Sequence, residues 1–429
     1  MRILLTANAS YVPPRGGATR SNLVWLEILA GRGHECRVVA PALSSAVVAE
    51  QARDEEIDRR WTREFSGAGV DRLERKGVAV YAVADRTRVV PFLREQIRDF
   101  APDWVIVSSE DLGHVLLREA VRSAAGRIVY LAHTPQFFPF GPASWNQDAE
   151  ATDVVRRAAA VIAIGHHTAA YIRRHTAREA EVIHPPVYGS GPYPNLAAFD
   201  QGLVTMINPC AMKGISVFLA LADRFPQHAF GALPGWGTTA SDRRELARRP
   251  NMTLLPNVRN IEQFLSRTRV LLMPSLWYEG FGLSVMEAML RGIPTISSDS
   301  GGLAEAKTGT EYVVPTGGIE RFLPVFDEHG MPKPVLPELD IDAWALALDR
   351  LLTSRQEYEA ESARARAAAT AFVGTIRPDL IVDFLAALEP AAPAAPPVRE
   401  APRVETLSPE KRALLLKRLR EKAAGHDPS

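Results

Sequence analysis

The feature that most constrains the fold is an alternation of short apolar runs with longer amphipathic runs along most of the chain. Ile3–Leu5, Val78–Val83 and Trp104–Ser108 are strand-like, and each is followed by a helix-like segment. This order of elements produces a parallel sheet with helices on both faces. The alternation stops in the proline- and glycine-rich segment 183–194 and restarts at Val204–Ile207. The sequence therefore predicts an α/β fold of two Rossmann-like, doubly wound domains that face each other across a cleft.

The breaks in this pattern give the expected domain limits. We expect an N-terminal Rossmann-like domain over residues 1–185 and a second one over 196–370, followed by a helix at 371–388 that crosses back to the first domain. An Ala/Pro-rich linker at 389–404 and a helical tail at 405–429 complete the chain. Within the first domain, a polar stretch near Glu50–Ser66 is also expected to be helical.

Composition excludes some classes of partner. The chain has 429 residues with 50 Lys+Arg and 50 Asp+Glu, so its formal net charge is zero. A nucleic-acid substrate is disfavoured, because nothing attracts a polyanion. Cys36 and Cys210 are far apart and are predicted to be reduced core thiols. No run is long enough to span a membrane, and the apolar run after Met1 is too short for a signal peptide, so a cytoplasmic location is expected.

The segment after the strand-like run Val270–Met273 has the features of a ligand site. A glycine-containing loop follows the strand, and a helix is predicted to start near Leu283. The backbone amides of Phe281, Gly282 and Leu283 would then lie at a helix N-terminus, where free N–H groups and the helix dipole favour a phosphate or a sugar oxygen. Gly280 and Gly282 would let a ligand approach the backbone closely.

Two glutamates flank this helix start. Glu287 lies about one turn into the helix, and a carboxylate suits the two adjacent hydroxyls of a ribose. Glu279 lies on the loop and could instead face a sugar group carried by the same ligand. On their own these two residues fit a plainer interpretation, a dipole-complementing acid and a solvated glutamate.

The surrounding sequence favours the ligand site. Glu279 and Glu287, inside Glu-Gly-Phe-Gly-Leu-Ser-Val-Met-Glu, resemble the E-x7-E signature of retaining glycosyltransferases of the GT-B fold (glycosyl transferases group 1, family 4-like). The segments 292–305 and 208–214 resemble the same family. The resemblance covers about residues 1–388 and is most specific around the two glutamates.

This resemblance implies roles for individual residues. Glu287 would hold the ribose of a nucleotide-sugar donor. Glu279 and the amides of Phe281–Leu283 would hold the transferred sugar. Lys213 would neutralise the diphosphate, through a charge-assisted contact that strengthens as the leaving group forms.

One position departs from the family. Many relatives carry an arginine five residues before the lysine, and here that residue is Asn208, which donates hydrogen bonds but carries no charge. Arg15 or Arg20 could supply a second cation from across the cleft. The Gly16-Gly17 pair after the first strand is predicted to let the diphosphate or the acceptor approach the backbone, although such a pair is more often only a turn.

Further candidates lie at the cleft edge of the first sheet. His133 ends a strand, and in the family a histidine after this strand lines the donor-sugar site; an ordinary loop histidine is an equal alternative. The loop after it is rich in aromatic residues and proline. We expect Phe137, Phe138 and Trp145 to face the acceptor, with a hydrophobic cluster as the alternative.

No metal or cofactor is expected. Asp340-Ile-Asp342 fits a metal-binding D-x-D pattern, but it precedes an amphipathic helix, and capping of that helix explains it fully. The donor, with UDP- or GDP-sugars favoured, would be a co-substrate.

The resulting prediction is a retaining, metal-independent hexosyltransferase-type enzyme that moves a sugar to a hydroxyl of a natural product or glycan. A nucleotide-sugar epimerase or hydrolase, or a catalytically silent scaffold of the same fold, are the alternatives. Residues 405–421 resemble the helix that leads into condensation domains of nonribosomal peptide synthetases. They are either a docking element for an assembly-line protein or an amphipathic tail helix.

Overall fold

The computed structural model of the protein contains two α/β sheets in one chain. It describes residues 1–12, 14, 16–43, 62–67, 69–258 and 260–390, with only the backbone of 62–67. Arg15, the helical tail and all but the first two residues of the predicted linker lie outside these residues.

The first sheet has nine described strands in the order β3-β4-β5-β2-β1-β6-β7-β8-β9. Its strands are β1 (Arg2–Thr6), β2 (Glu35–Pro41), β3 (Thr62–Gly67), β4 (Val70–Arg75), β5 (Val78–Val83), β6 (Trp104–Ser108), β7 (Ile128–Ala132), β8 (Ala160–Ala163) and β9 (Glu181–Val182). Neighbours pair in parallel from β5 to β9, and β3–β4 and β4–β5 pair antiparallel. The parallel strands, from β5 to β9 in this order, form the Rossmann-like core of the first domain.

The second sheet is parallel throughout, in the order β12-β11-β10-β13-β14-β15. Its strands are β10 (Leu203–Ile207), β11 (Phe230–Leu233), β12 (Met252–Leu254), β13 (Thr268–Met273), β14 (Thr295–Ser298) and β15 (Val313–Val314). A separate antiparallel hairpin follows, formed by β16 (Arg321–Phe326) and β17 (Pro332–Val335).

Thirteen helices of the described residues cover the sheets. They are α1 (Gly16–Gly31), α2 (Val89–Phe100), α3 (Val115–Ser123), α4 (Ala149–Arg157), α5 (His166–Thr176), α6 (Ile215–Arg224), α7 (Ala240–Ala247), α8 (Ile261–Leu265), α9 (Leu283–Leu290), α10 (Leu303–Ala306), α11 (Ile341–Thr353), α12 (Arg355–Thr375) and α13 (Leu380–Ala387). None of these helices combines the length and the apolar character needed to cross a membrane.

Helix α2 illustrates how the spacing of apolar residues determines which face of a helix is buried. Val89, Leu93, Ile97 and Phe100 recur on one face and are buried, while the intervening charged residues remain outside. The helix ends where Ala101 adopts a left-handed conformation (φ 45°) and its amide bonds to the carbonyl of Ile97. The predicted two-domain α/β architecture is confirmed, because both sheets are built from such strand–helix units.

Two parts of the fold differ from the sequence prediction. The expected helix near Glu50–Ser66 is wrong at its end, since 62–67 form β3, paired antiparallel with β4. In β4, which lies between β3 and β5, only Val70 and Leu73 are buried, and they join the hydrophobic cores on opposite faces of the sheet. The hairpin β16–β17 was not predicted.

The last helices contact the first domain. The Trp104 indole Nε1, at the start of β6, donates to the carbonyl of Leu385 in α13 at 3.1 Å. The guanidinium Nε of Arg32 donates to Asp379 at 2.8 Å just before this helix.

Asp340 caps α11 as predicted, accepting hydrogen bonds from the amides of Asp342 and Ala343 at 3.0 and 3.2 Å.

The prediction for the two cysteines is confirmed. Cys36 and Cys210 are free and buried. Burial raises the pKa of the Cys36 thiol to about 12 and that of Cys210 to about 11, so both are protonated, inert groups at neutral pH.

Candidate active site

A cavity of about 680 Å³, here called the central cavity, lies between the carboxyl ends of the two sheets. In doubly wound folds this edge is where ligands bind. Most predicted site residues line it, and they come from both domains: Gly16, Gly17, His133, Phe137, Asn208, Lys213, Glu279, Gly280, Phe281, Gly282 and Leu283. A larger groove of about 1060 Å³ lies along α12 and includes none of these residues.

Two helix N-termini open on the central cavity. Helix α9 starts after Gly282 (φ 120°), and no side chain caps it. Helix α1 starts at Gly16, and a β-carbon placed on Gly17 would lie 3.0 Å from the Leu283 side chain, so the two helix starts face each other closely. Free amides and the positive ends of two helix dipoles favour an anion in this cavity, as a diphosphate requires.

The loop before α9 is held tightly against the first domain. A β-carbon on Gly280 would overlap the carbonyl oxygen of His133. Thr168 Oγ1 also donates to the Gly280 carbonyl at 3.2 Å. Glycine is needed here because the two backbones touch, so this loop and the end of β7 meet in the site.

Lys213 and Glu279 form an ion pair inside the central cavity. Lys213 ends a 3₁₀ turn (Ala211–Lys213) shortly after β10, and its Nζ contacts Glu279 Oε1. Ser275 Oγ donates to the same oxygen at 2.6 Å. The Lys213 ammonium lies 5.3 Å from the centre of the Trp277 ring, which adds a cation–π contact. Both charged side chains are at most 13% exposed, which makes the pair sensitive to a ligand that displaces water.

Asn208 lines the central cavity, and its backbone has an unusual conformation. Its φ is 54°, a region that asparagine tolerates better than most residues. Oδ1 accepts a hydrogen bond from the Gly237 amide at 2.9 Å and one from Thr238 Oγ1 at 3.4 Å. Nδ2 is buried without a partner among the described residues. The structure therefore places an unused neutral donor in the cavity wall.

His133 belongs to a buried polar network. Its Nε2 lies 2.8 Å from Asn22 Oδ1, and Asn22 Nδ2 donates to Tyr11 and Ser108 at 2.7 and 2.9 Å. An acceptor at Asn22 Oδ1 requires the proton on Nε2, which leaves Nδ1 as the acceptor of a neutral ring. Burial lowers the pKa of His133, and the nearby Glu110 carboxylate offsets this only in part. The ring is therefore neutral at pH 7.

Glu287 does not line the central cavity. It is nearly buried on α9, and its Oε1 lies 2.8 Å from Arg20 NH1 in α1. Arg20 NH2 also donates to the Val187 carbonyl at 2.9 Å. The structure thus gives Arg20 a structural partner at the domain boundary, and it does not place this arginine on the cavity beside Asn208.

The predicted acceptor-facing residues separate into two groups. Phe137 and Trp145 join Trp236, Trp277 and Phe322 in what we call the aromatic cluster, with ring centres 5.3 to 6.1 Å apart. The expectation for Phe138 is corrected, because this ring is fully buried in the first domain's core. It packs there against Tyr130, Phe140 and Tyr171.

Glu305 makes a contact that sequence reasoning missed. Oε1 and Oε2 accept hydrogen bonds from the amides of His166 and His167 at 3.0 and 3.1 Å, at the start of α5. Oε1 also lies 2.9 Å from His184 Nε2. His166, His184 and Glu305 offer three ligand atoms within 4.8 Å of one another, but the carboxylate already caps a helix of the other domain.

Glu110 is a second residue that sequence reasoning missed. It follows β6, lines the central cavity, and accepts a hydrogen bond from Ser108 Oγ through Oε2. Its Oε1 is buried without a partner among the described residues. The only available signal was its place two residues after a predicted strand, at the carboxyl edge of the sheet.

Residues 15–188 match the family model described as Glycosyltransferase Family 4, and residues 202–354 match the one described as Glycosyl transferases group 1. A search of curated protein sequences returned no match.

Solved structures share the fold at low sequence identity. Anabaena HepE in complex with UDP and glucose is 15% identical, with a TM-score of 0.62 over 90% of this chain and 99% of that one. WaaG, a glycosyltransferase involved in lipopolysaccharide biosynthesis, is 13% identical, with a TM-score of 0.60 over 90% and 100%. An E. coli trehalose-6-phosphate structure bound with UDP-2-fluoro glucose is 13% identical, with a TM-score of 0.59 over 91% and 100%.

Two Rossmann-like domains around a shared cavity define the GT-B architecture. The first carries a Glycosyltransferase Family 4 domain and the second a glycosyl transferases group 1 domain, and the chain is a glycosyltransferase.

Proposed function

We propose that this glycosyltransferase takes a hexose from a nucleoside diphosphate sugar, with UDP-sugars favoured, and transfers it to a hydroxyl group with retention of the anomeric configuration. The observation that carries the proposal is the Lys213–Glu279 pair in a cavity that two helix N-termini also line. That arrangement offers positive charge and free amides to a diphosphate, and a carboxylate to the adjoining sugar. HepE was crystallised with UDP-glucose, which supports a uridine donor.

Each residue then has a defined task. The helix starts and Lys213 bind the diphosphate and stabilise the charge that it gains as it leaves. The Asn208 amide adds a neutral donor in place of a second cation. Glu279 holds hydroxyls of the sugar, and the neutral His133 ring offers its Nδ1 to the same ligand.

The transfer balances without a resident metal or cofactor. The bond from the anomeric carbon to the diphosphate oxygen breaks, and a bond from the same carbon to the acceptor oxygen forms on the same face. The acceptor proton passes to the departing phosphate oxygen. Lys213 neutralises the leaving group in this scheme, so addition of a chelator is expected to leave the rate unchanged.

The first test is donor binding. UDP-glucose, GDP-glucose and dTDP-glucose are compared by thermal shift and calorimetry on the wild type and on Lys213→Ala. We expect stabilisation by UDP-glucose that is weakened at least about tenfold in the variant, because one charge-assisted contact is lost. Failure of all three donors to bind, or equal binding by the variant, contradicts the proposal. Labelled donor without acceptor separates transfer from hydrolysis or epimerisation.

A further inference from the structure

A second cavity of about 840 Å³, here called the side cavity, adjoins the central cavity at Leu112, which lines both. One wall is the loop 142–146 of the first domain, and the other is the segment 317–326 with the hairpin β16–β17. The hairpin is an excursion between β15 and α11, outside the strand–helix alternation. It therefore adds a wall that the two Rossmann-like sheets do not provide.

The hairpin is fixed in place next to this cavity. At its turn, Asp327 Oδ1 accepts hydrogen bonds from the amides of His329 and Met331 at 2.8 and 2.9 Å. The adjoining Glu328 carboxylate accepts from the Ala240 amide at the start of α7 at 2.6 Å. On the cavity side, the Phe322 ring packs edge-on against Trp145 with centres 5.4 Å apart. The hairpin thus closes the cavity from the second domain.

The lining of the side cavity offers more apolar than polar surface. Glu320 and Arg321 are the charged residues among those described as lining it, and both are exposed at its edge. Several polar side chains of the lining already donate to backbone carbonyls: Ser144 Oγ to Phe138 at 2.6 Å, Asn146 Nδ2 to Leu112 at 2.8 Å and Ser300 Oγ to Trp277 at 2.8 Å. A ligand rich in hydroxyls would find these three side-chain donors already used.

We propose that the side cavity binds the apolar aglycone of the acceptor, an aryl or long alkyl group, while the acceptor's hydroxyl reaches the central cavity past Leu112. This inference rests on the proposed transfer to a hydroxyl and names its substrate class. The cavity volume fits a small organic group, and its rings and prolines offer flat apolar surface. Phe326 is 64% exposed at the mouth, which continues the apolar surface outward.

Two matched probes test the idea on the full chain loaded with UDP. 2-Naphthyl β-D-glucoside and methyl β-D-glucoside carry the same sugar hydroxyls and differ only in the aglycone. Calorimetry is expected to give at least about tenfold tighter binding of the naphthyl compound, the affinity ratio that about 1.4 kcal/mol of apolar burial provides. Equal binding of the two probes, as a glycan-type acceptor site would show, overturns the proposal.

Variants of the hairpin complete the test. Phe322→Ala and Phe326→Ser are expected to weaken binding of the naphthyl probe about fivefold or more. Val325→Ala, on the same strand, 56% exposed and not in the cavity lining, is the matched control and should bind it like the wild type. UDP affinity is measured on each variant, and it shows independently of naphthyl binding that the variant is folded and that its donor site is intact. Loss of naphthyl binding in Val325→Ala, or its retention in both Phe variants with UDP binding intact, contradicts the proposal.

Discussion

Glu305 Oε1 lies 2.9 Å from His184 Nε2, and this contact ties the second domain to the segment that follows the last strand of the first. The same carboxylate accepts two amide hydrogen bonds at the start of α5. Nearby, Thr134 Oγ1 donates to the Tyr278 carbonyl at 3.1 Å. Thr168 Oγ1 donates to the Gly280 carbonyl at 3.2 Å, so the loop that carries Glu279 is held from the first domain on both sides, and its position depends on the contact between the domains.

Glu305→Gln is expected to lower the free energy of unfolding by about 1–3 kcal/mol at pH 7, because a neutral amide replaces a carboxylate that three donors hold. Burial raises the pKa of Glu305, but the hydrogen bonds from His184 and the two amides outweigh it, and the pKa lies below its ordinary value. The charged carboxylate therefore stabilises the fold fully above about pH 4.3, the pKa of glutamate in the unfolded protein. This stabilisation is lost as the pH falls through the lower pKa of Glu305 in the folded protein.

Thermal unfolding between pH 7 and about pH 3, which extends below the unfolded pKa, checks this, with the exposed Glu150→Gln as the control. A destabilisation that stays constant down to pH 4 and below would mean that Glu305 acts by packing and not by charge.

Lys213→Ala and Glu279→Gln should have different effects. The two residues neutralise each other in the described structure. Removal of Lys213 takes a cation from the diphosphate and is expected to reduce both UDP affinity and turnover, turnover by roughly 10²–10³-fold. Glu279→Gln leaves Lys213 free for phosphate, so UDP affinity should be kept or increased while turnover falls. Calorimetry and initial rates measure both quantities. Equal loss of UDP affinity in the two variants would contradict the division of roles.

The local parts of this site could be predicted from sequence, whereas its long-range contacts could not. The strand before Pro274, the loop and the helix start at Leu283 follow from hydrophobic pattern and glycine positions within about 20 residues. The partner of Glu287 is Arg20, and the partner of His133 is Asn22, each more than 100 residues away. No local pattern specifies such a pair, since only the packed sheets bring the two residues together.

The same limit explains the misplaced aromatic residue. Phe137 and Phe138 are adjacent and chemically identical, yet one lines the central cavity and the other is fully buried. The direction of each ring depends on the 3₁₀ turn at Pro135–Phe137 and on the core behind it. Composition alone could not distinguish them.

Arg20→Ala tests the role of Glu287. Arg20 holds a carboxylate that is only 5% exposed, and its loss is expected to destabilise the fold by about 1–3 kcal/mol, a range reduced because Arg20 itself is 42% exposed. Glu287→Gln in the same background should recover much of this loss, since no unpaired charge is then buried. Denaturant unfolding of the double-mutant cycle gives the coupling. Additive effects would show that the pair contributes no net stability.

Glu287 is also the residue predicted to hold the ribose. If it does, Arg20 must share it with the donor, and the wild type should prefer UDP over 2′-deoxyuridine 5′-diphosphate. Glu287→Gln is expected to reduce this preference to about twofold or less, which calorimetry with the two nucleotides measures. An unchanged preference would assign the ribose to another residue.

His133 should make the fold sensitive to mild acid. Burial keeps its folded pKa below the unfolded value of about 6.5, so the neutral ring is favoured in the fold. The neutral His133 ring contributes fully to the free energy of unfolding above the unfolded pKa. This free energy falls as the pH drops from about 6.5 toward the lower pKa of the folded protein. His133→Gln should show a smaller fall between pH 7.5 and 5.5. A parallel fall in both proteins would attribute the acid sensitivity to other groups.

Glu110 lines the central cavity close to its junction with the side cavity and is expected to act on the acceptor. It lies two residues before Leu112, the residue that lines both, and its Oε1 has no partner among the described residues. A buried carboxylate oxygen without a donor is costly, and an acceptor hydroxyl at the junction would supply that donor. Glu110→Gln should therefore raise the acceptor KM by about 5- to 150-fold, the factor that corresponds to about 1–3 kcal/mol, while UDP affinity stays unchanged. Ser108→Ala removes the bond to Oε2, together with the bond that Ser108 Oγ accepts from Asn22, and should have a smaller effect on the acceptor KM. If Glu110→Gln weakens UDP binding and leaves the acceptor KM unaltered, the carboxylate belongs to the donor side of the cavity.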